Sequence, residues 1–253
     1  MLRRVKEIYN YVLEAEDGEI GRCKDFLFDD RFWTVRYMVA DTGKWLPGRK
    51  VLISPISLGE PDWSSRLFQV RLTKEQIEDS PPIDSDAPVS RQYEIKWFGY
   101  YGYSYYWGGT GVWGTAPYPG PLFSRKREDA EVEPDTDKGD PCLRSTAEVI
   151  GYHIQATDEE IGHVEDFILD DETWTIRYMV VDTRNWLPGR KVLVAPAWIN
   201  SVDWAERKGS VAMTRERIKN SPEYDSSLPL TPEYEVSLSG HYGLPIEQGI
   251  GTW

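Results

Sequence analysis

The chain has 253 residues, a formal net charge of −13 at pH 7 and an aromatic content of 13%. This length accommodates two domains, each large enough for a small core of its own. The acidic balance argues against a general nucleic-acid binder, whose phosphate contacts need clustered Lys and Arg, and against adsorption to anionic lipid.

The N-terminal residues Met1–Lys6 lead into polar sequence without an apolar stretch, so no signal peptide is expected and a cytoplasmic location is predicted. At the offset of the internal repeat described next, Cys23 corresponds to Val164 and Cys142 to Met1. Two unmatched thiols build no disulfide framework, and Cys23 is predicted to be a small buried hydrophobe.

An internal repeat at an offset of 141 residues dominates the sequence. Asp17–Gly21 returns as Asp158–Gly162, Trp33–Val39 as Trp174–Val180, and Trp45–Leu52 as Trp186–Leu193 without a change. The repeat predicts two like domains. A residue that appears in only one copy is a candidate for a function specific to that copy.

Each copy predicts short strands separated by turns. In the first, Phe26–Phe28 and Trp33–Val39 flank Asp29–Phe32, which indicates a hairpin with a type I-like turn. The run Leu46–Arg49 fits a type II turn, with Pro at the second position and Gly at the position of positive φ. Lys50–Ile53 is then expected to be a strand that ends before a proline.

A capped helix follows the next predicted strand, Phe68–Leu72. Thr73–Gln76 has the pattern of a capping box at the start of a short helix that carries Ile77. In the second copy Arg217 replaces the glutamine, so only the Thr214 cap is expected. Many short strands with one short helix predict an all-β fold: two small closed barrels related by internal duplication.

The ordered series of motifs also resembles a known family. Ile-Gly-x-x-x-Asp-Phe, Trp-Thr-Val/Ile-Arg-Tyr-Met-Val and Trp-Leu-Pro-Gly-Arg-Lys-Val-Leu, followed by Thr-x-Glu-x-Ile-x-x-Ser-Pro, are similar to the PRC-barrel family, over residues 7–83 and 148–224. That family is named after the cytoplasmic part of the photosynthetic reaction-centre H subunit and includes the C-terminal domain of a ribosome maturation factor. The resemblance implies small β-barrels that act as non-catalytic assembly or interaction modules, many of them stand-alone bacterial proteins.

The segment between the predicted barrels is the main feature that the first copy does not share with the second. Residues 97–119, the aromatic arm, are rich in Tyr, Trp and Gly and contain no Asp, Glu, Lys or Arg, and a charged linker follows. The predicted domains are residues 1–96 (first barrel), 97–144 (arm and linker), 145–240 (second barrel) and 241–253 (C-terminal tail). The arm either folds back over its own barrel or a twin subunit, or it binds a partner or ligand.

No motif for catalysis or metal binding stands out. His153, His163 and His241 have no metal-ligand spacing, so neither a metal nor a cofactor is predicted. The Asp29-Asp30 pair, repeated as Asp170-Asp171, is expected to cap a turn. Arg36 with Asp41, and Arg177 with Asp182, are expected mainly to form internal ion pairs or solvated strand faces, the alternative being a surface patch used by both barrels. An enzyme is not predicted.

We therefore predict a protein-interaction or assembly module that self-associates as a homodimer or larger species, or binds other proteins, without nucleic acid or membrane insertion. Two alternatives remain open: a small-ligand-binding protein with the arm as a lid, and an accessory protein of ribosome assembly. Large rings and cations at loops and in the arm form the candidate interaction surface. Its residues are Trp45, Arg49, Trp186, Arg190, Tyr101, Tyr105, Trp107 and Trp113.

Overall fold

The computed structural model describes residues 1–83, 89–124, 143–183 and 190–243. These residues are mostly strands in two sheets, with few helices, and the chain divides into two compact units. The N-unit consists of Ile8–Ser145 and Glu172–Trp174, and the C-unit consists of Met1–Glu7, Thr146–Asp171 and Thr175–Trp253.

The strands, numbered along the chain, belong to two seven-stranded sheets. They are β1 (Leu2–Arg4), β2 (Val12–Ala15), β3 (Gly18–Asp29), β4 (Thr34–Asp41), β5 (Val51–Ile53), β6 (Leu58–Asp62), β7 (Leu67–Val70), β8 (Leu143–Ser145), β9 (His153–Gln155), β10 (Glu160–Asp170), β11 (Ile176–Asp182), β12 (Lys191–Val194), β13 (Ile199–Asp203) and β14 (Lys208–Val211).

Both sheets have the same strand order. The N-unit sheet runs β5-β4-β3-β2-β7-β6, and the C-unit sheet runs β12-β11-β10-β9-β14-β13. In each sheet one pair is parallel, β2 with β7 and β9 with β14, while the other pairs are antiparallel. A meander of four strands, two of them long, therefore forms one side of each sheet, and a short hairpin continues it across the parallel pair.

Each sheet is completed by the first strand of the other sequence repeat. Strand β1 lies antiparallel to β10 of the C-unit, with Arg3 opposite Leu169, and β8 lies antiparallel to β3 of the N-unit, with Arg144 opposite Phe28. Arg3 and Arg144 correspond at the repeat offset of 141. The units thus differ from the continuous domains expected from the sequence, because strand pairing joins segments that lie far apart along the chain.

The helical content exceeds the single short helix predicted for each barrel. The helices are α1 (Val5–Ile8), α2 (Lys74–Glu78), α3 (Arg91–Tyr101), α4 (Gly120–Ser124), α5 (Thr146–Val149), α6 (Arg215–Lys219) and α7 (Pro232–Tyr242), with short 3-10 helices at Pro55–Ser57 and Pro196–Trp198. The predicted helices are α2 and α6. The eleven-residue helices α3 and α7 were missed because their side chains lack a clear apolar stripe, and Ser90 and Thr231 cap their first turns.

The Pro-Gly turn of the first repeat, the Asp29 turn cap and the Thr73 and Thr214 helix caps are confirmed. Asp29 Oδ1 accepts a hydrogen bond from the Phe32 amide at 2.6 Å in the β3–β4 hairpin. Gly48 has a φ of 73°, and the Arg49 amide donates to the Leu46 carbonyl at 3.3 Å, as a type II turn requires. Thr73 forms both halves of the capping box, whereas Thr214 accepts only the backbone bond.

One glycine in each repeat is required by a close approach of the backbone. Gly21 has a φ of 137° and Gly162 a φ of 143°. A Cβ atom at either position would overlap the carbonyl oxygen of Asp41 or of Asp182, respectively. The recurring Ile-Gly pair therefore reflects the tight pairing of β3 with β4 and of β10 with β11.

The core of the N-unit is aromatic. Phe26 and Phe68 are fully buried, and their rings lie 6.1 and 6.0 Å from that of Trp174, which the hairpin between β10 and β11 contributes to this unit. Cys23 is 1% exposed, which confirms its predicted role as a buried hydrophobe, and burial raises the pKa of its thiol. In the described part of the chain, no helix is long and apolar enough to cross a membrane.

Candidate functional site

A buried carboxylate marks the polar centre of the N-unit. Helix α3 begins after Ser90, whose hydroxyl accepts a hydrogen bond from the Tyr93 amide at 3.2 Å. The first turn of the helix therefore holds Glu94, where the helix dipole favours negative charge. One turn later Trp97 and Phe98 are buried, so the same face of the helix seats both the carboxylate and the rings.

Two tyrosine hydroxyls and one guanidinium surround this carboxylate. Tyr37 and Tyr106 each donate a hydrogen bond of 2.9 Å to Oε1 of Glu94, and Arg91 Nη1 lies 3.0 Å from Oε2. Burial raises the pKa of Glu94 to about 7, although Arg91 and the two hydroxyls act in the opposite direction. Burial also raises the pKa of both tyrosines, which keeps them as donors.

The C-unit contains the same pair of residues at the repeat offset. Tyr178 donates a hydrogen bond of 2.8 Å to Oε1 of Glu235, and Arg177 Nη2 lies 3.5 Å from that oxygen. Sequence reasoning missed this pair. The available signal was the repeat itself: Tyr37 and Glu94 both recur 141 positions later, as Tyr178 and Glu235.

Arg36 does not form the ion pair expected with Asp41. Its guanidinium instead contacts the Asp29 carboxylate and donates to the Val112 carbonyl, while the Asp41 carboxylate accepts from the Gly43 amide at 3.0 Å. The rings of Tyr106 and Trp113 lie over the same guanidinium, with centroids 3.9 and 4.8 Å away. Because Arg36 is only 1% exposed, both aromatic contacts replace water that an exposed arginine would keep.

The aromatic arm folds back over its own unit. Tyr103, Tyr106 and Trp113 are all buried, and the Trp113 indole donates a hydrogen bond of 2.7 Å to the Thr173 carbonyl within the N-unit. This is the first of the two interpretations considered from the sequence. Trp113, predicted as an interaction residue, is part of the interior.

Three other predicted residues of the arm lie closer to the surface. Tyr105 and Trp107 are half-buried and stack with centroids 4.4 Å apart at an angle of 18°. The Arg91 guanidinium lies 4.0 Å from the centre of the Trp107 ring. Tyr101 is also half-buried, and its hydroxyl donates to the Gln76 carbonyl at 3.4 Å. Tyr101, Tyr105 and Trp107 are therefore the members of the predicted surface in the arm that remain partly accessible.

In the N-unit, the predicted residues of the Trp-Leu-Pro-Gly-Arg motif contact helix α2 and the residues that follow it. Arg49 donates to the Ile77 and Ser80 carbonyls at 3.2 and 2.6 Å, so it ties the type II turn to the end of α2. Arg190 donates to the Ser221 carbonyl, the corresponding residue in the C-unit. Half-buried Trp45 lies beneath the Lys74 ammonium at 5.6 Å. Trp186 lies outside the described residues.

Two surface grooves lie on the N-unit. One has a volume of about 420 Å³ and the other about 390 Å³, and Lys24 and the segment 41–43 line both. No residue of the aromatic arm lines either groove. Among the described residues, no group of three or more His, Cys, Asp or Glu side chains could hold a metal ion. Buried Glu94 binds tyrosine hydroxyls and Arg91, and buried Arg36 binds the Asp29 carboxylate and the Val112 carbonyl.

The geometry defines a strand-rich protein of two similar sheets, each with a tyrosine–glutamate pair next to an arginine. Comparison with known families places a PRC-barrel domain at residues 144–206. The matched segment begins in β8, which completes the N-unit sheet, and continues through β13 of the C-unit. No curated protein matches the chain.

Proposed function

We propose that the chain is a non-catalytic, cytoplasmic protein-assembly module made of two PRC-type barrels that arose by duplication. The exchange of first strands carries this proposal. Strands β1 and β8 each complete the sheet that the other repeat builds. A module that accepts a strand from a second copy of itself is suited to assembly, since the same exchange between separate chains produces dimers.

The duplication is supported by equivalence at several levels. The two sheets share one strand order, the corresponding glycines Gly21 and Gly162 have similar positive φ values, and the Tyr–Glu pairs recur at the same offset. The motif series that resembles the PRC-barrel family is present in both repeats. These features favour the same barrel in the N-unit as in the segment matched at residues 144–206.

The surface that we propose for self-association is the stacked pair of Tyr105 and Trp107. Half-buried rings held by a neighbouring arginine supply contact area with little loss of side-chain entropy on binding. The Phe98 ring meets the Trp107 ring edge-on at 5.2 Å and the Arg91 guanidinium lies over the Trp107 face, so the pair is held in place before a partner arrives. This preorganisation favours an interaction surface over a covering for a ligand. Neither groove of the N-unit is lined by the arm.

Light scattering of the full chain over a range of concentrations tests the proposal. We expect a dimer or larger species, and we expect Tyr105→Ala with Trp107→Ala to weaken association at least about tenfold, as loss of an aromatic contact centre does. Tyr118→Ala is the matched control, because this tyrosine is 42% exposed and lies outside the stacked pair.

A mass that stays monomeric at every concentration would contradict self-association. Recovery of ribosomal particles with the native chain, at the expense of self-association, would favour the ribosome-assembly alternative instead. A thermal shift with a small molecule that is lost in the Tyr105/Trp107 variant would favour ligand binding by the arm.

A further inference from the structure

The groups nearest to the Glu94 carboxyl come from three elements, and all of them are donors. Tyr37 from β4 and Tyr106 from the aromatic arm each donate a hydrogen bond of 2.9 Å to Oε1. On the helix itself, the guanidinium of Arg91 lies 3.0 Å from Oε2. Such a shell suits the ionised form, because an ionised carboxyl group only accepts hydrogen bonds.

A second arginine faces the same cluster but is fixed in place. Arg36 on β4 also favours the ionised form of Glu94 through its charge, and its guanidinium contacts the Asp29 carboxylate on β3. It is only 1% exposed. The side chain of Arg91, in contrast, is 27% exposed, so it can turn towards solvent without any movement of its helix.

Protonation of Glu94 conflicts with this arrangement of donors. A proton on Oε1 displaces a tyrosine hydroxyl, and a proton on Oε2 points at the Arg91 guanidinium. In either case the carboxyl group loses the negative charge that holds Arg91 beside it. Burial raises the pKa of Glu94 to about 7, so the protonated and ionised forms are both populated near neutral pH.

Arg91 connects this carboxyl group to the proposed interaction surface. Its guanidinium lies 4.0 Å from the centre of the Trp107 ring and 5.4 Å from that of the Tyr106 ring. One cation therefore contacts the buried carboxylate and a ring of the stacked pair at the same time. The arginine is specific to the first copy, because Pro232 stands at the corresponding position and begins α7.

We infer that the charge on Glu94 switches the surface formed by Tyr105 and Trp107 between a held and a loosened state. When Glu94 is ionised, Arg91 stays over the Trp107 face and the stacked pair is held for a partner. When Glu94 is protonated, Arg91 turns towards solvent and the pair loses this contact. The consequence, which rests on the proposed function, is that a second copy of the chain binds more tightly above pH 7 than below it.

Fluorine NMR of the full chain labelled with 5-fluorotryptophan, at a concentration where the chain is monomeric, tests the switch separately from association. The Trp107 signal is identified by its loss in Trp107→Phe. We expect this signal to move with pH through one midpoint near neutrality, and to stop moving in Glu94→Gln and in Arg91→Gln. Glu235→Gln is the matched control: it changes the equivalent glutamate, which has no counterpart of Arg91, so the titration should be unchanged. A Trp107 signal that does not titrate, or that still titrates in Arg91→Gln, would overturn the inference.

Sedimentation equilibrium at pH 5.5 and pH 8.5 measures the consequence for association. Because an acidic chain repels its copies more strongly at high pH, the ratio of the two dissociation constants is compared between the chain and Glu94→Gln. We expect the change towards tighter binding at pH 8.5 to be about two- to fivefold larger in the unmodified chain, the factor that one cation–π contact at a partly exposed site corresponds to. Arg91→Gln replaces Glu94→Gln in this comparison if the latter does not fold.

The two measurements separate the switch from the proposed self-association. A chain that stays monomeric at every pH while its Trp107 signal titrates would refute self-association and support the switch. Association with the same pH dependence in the unmodified chain and in both variants would overturn the switch and leave self-association standing.

Discussion

The Tyr37 hydroxyl donates a hydrogen bond of 2.9 Å to Glu94, and this contact joins a strand near the start of the first repeat to a helix more than fifty residues later. Tyr178 and Glu235 form the same contact at 2.8 Å in the C-unit. The two glutamates differ in their surroundings. Glu94 is fully buried, whereas Glu235 is 22% exposed, because the aromatic arm covers the first and the described residues leave the second open to solvent.

We predict that the N-unit loses stability as pH rises through neutrality, and that Glu94→Gln removes this dependence. Burial raises the pKa of Glu94 from 4.5 to about 7. The folded state therefore holds a proton that the unfolded state releases, so this contribution is complete below about pH 4.5 and is lost as pH rises through about 7. The difference amounts to a few kcal/mol, since one unit of pKa corresponds to about 1.4 kcal/mol.

Urea unfolding at pH 5.5 and pH 8 measures this effect as the difference between the chain and its Glu94→Gln variant. The exposed Glu60 supplies the control, and Glu60→Gln should leave the pH dependence unchanged. A Glu94→Gln variant with the same loss of stability between the two pH values would show that another group is responsible.

Removing one hydroxyl from the Glu94 cluster should cost stability. We expect Tyr37→Phe to reduce the free energy of unfolding by about 1–3 kcal/mol, because a buried carboxylate oxygen loses a donor. The cost should shrink in the Glu94→Gln background, where the acceptor is neutral. A double-mutant cycle measured by chemical denaturation gives this coupling, and purely additive effects would contradict it.

The glycine at the start of the long hairpin should tolerate no side chain. Gly21→Ala places a Cβ atom against the Asp41 carbonyl at a φ of 137°, so we expect severe destabilisation or failure to fold. Gly43→Ala is the control: its φ is also positive, at 56°, but the space around it is open, so a loss of about 1 kcal/mol is expected. Thermal unfolding compares them, and equal losses would refute the close-approach argument.

Because each first strand pairs with the sheet of the other repeat, a proline in that strand should weaken the sheet of the other repeat and not its own. Arg3→Pro should disturb β1 and increase amide exchange at residues 168–170 of the C-unit, because β1 pairs with that part of β10. Arg144→Pro should increase exchange at residues 27–29 of the N-unit. Hydrogen exchange read by mass spectrometry separates the two. Faster exchange at residues 27–29 in the Arg3→Pro variant would mean that each repeat keeps its own first strand.

Local features of the fold were predictable from sequence because each depends on neighbouring residues. The Leu46–Arg49 turn needs glycine at the position of positive φ, and the Thr73 cap and the Asp29 turn need a side-chain oxygen near specific amides. Helices α3 and α7 were missed because their side chains lack a clear apolar stripe, and their glutamates contact the sheets through Tyr37 and Tyr178. Of the eight predicted surface residues, Trp113 lies in the interior, since its ring covers an arginine that comes from another element.

The sequence by itself determined that this protein carries a series of motifs repeated at an offset of 141 residues, with strands, turns and helix caps set by local chemistry. Only the tertiary structure decided which strand completes which sheet, which ring covers which arginine, and that Glu94 is buried deeply enough to raise its pKa. Strand pairing and burial join residues that are far apart along the chain. A pattern of neighbouring residues does not indicate which distant residues will come into contact.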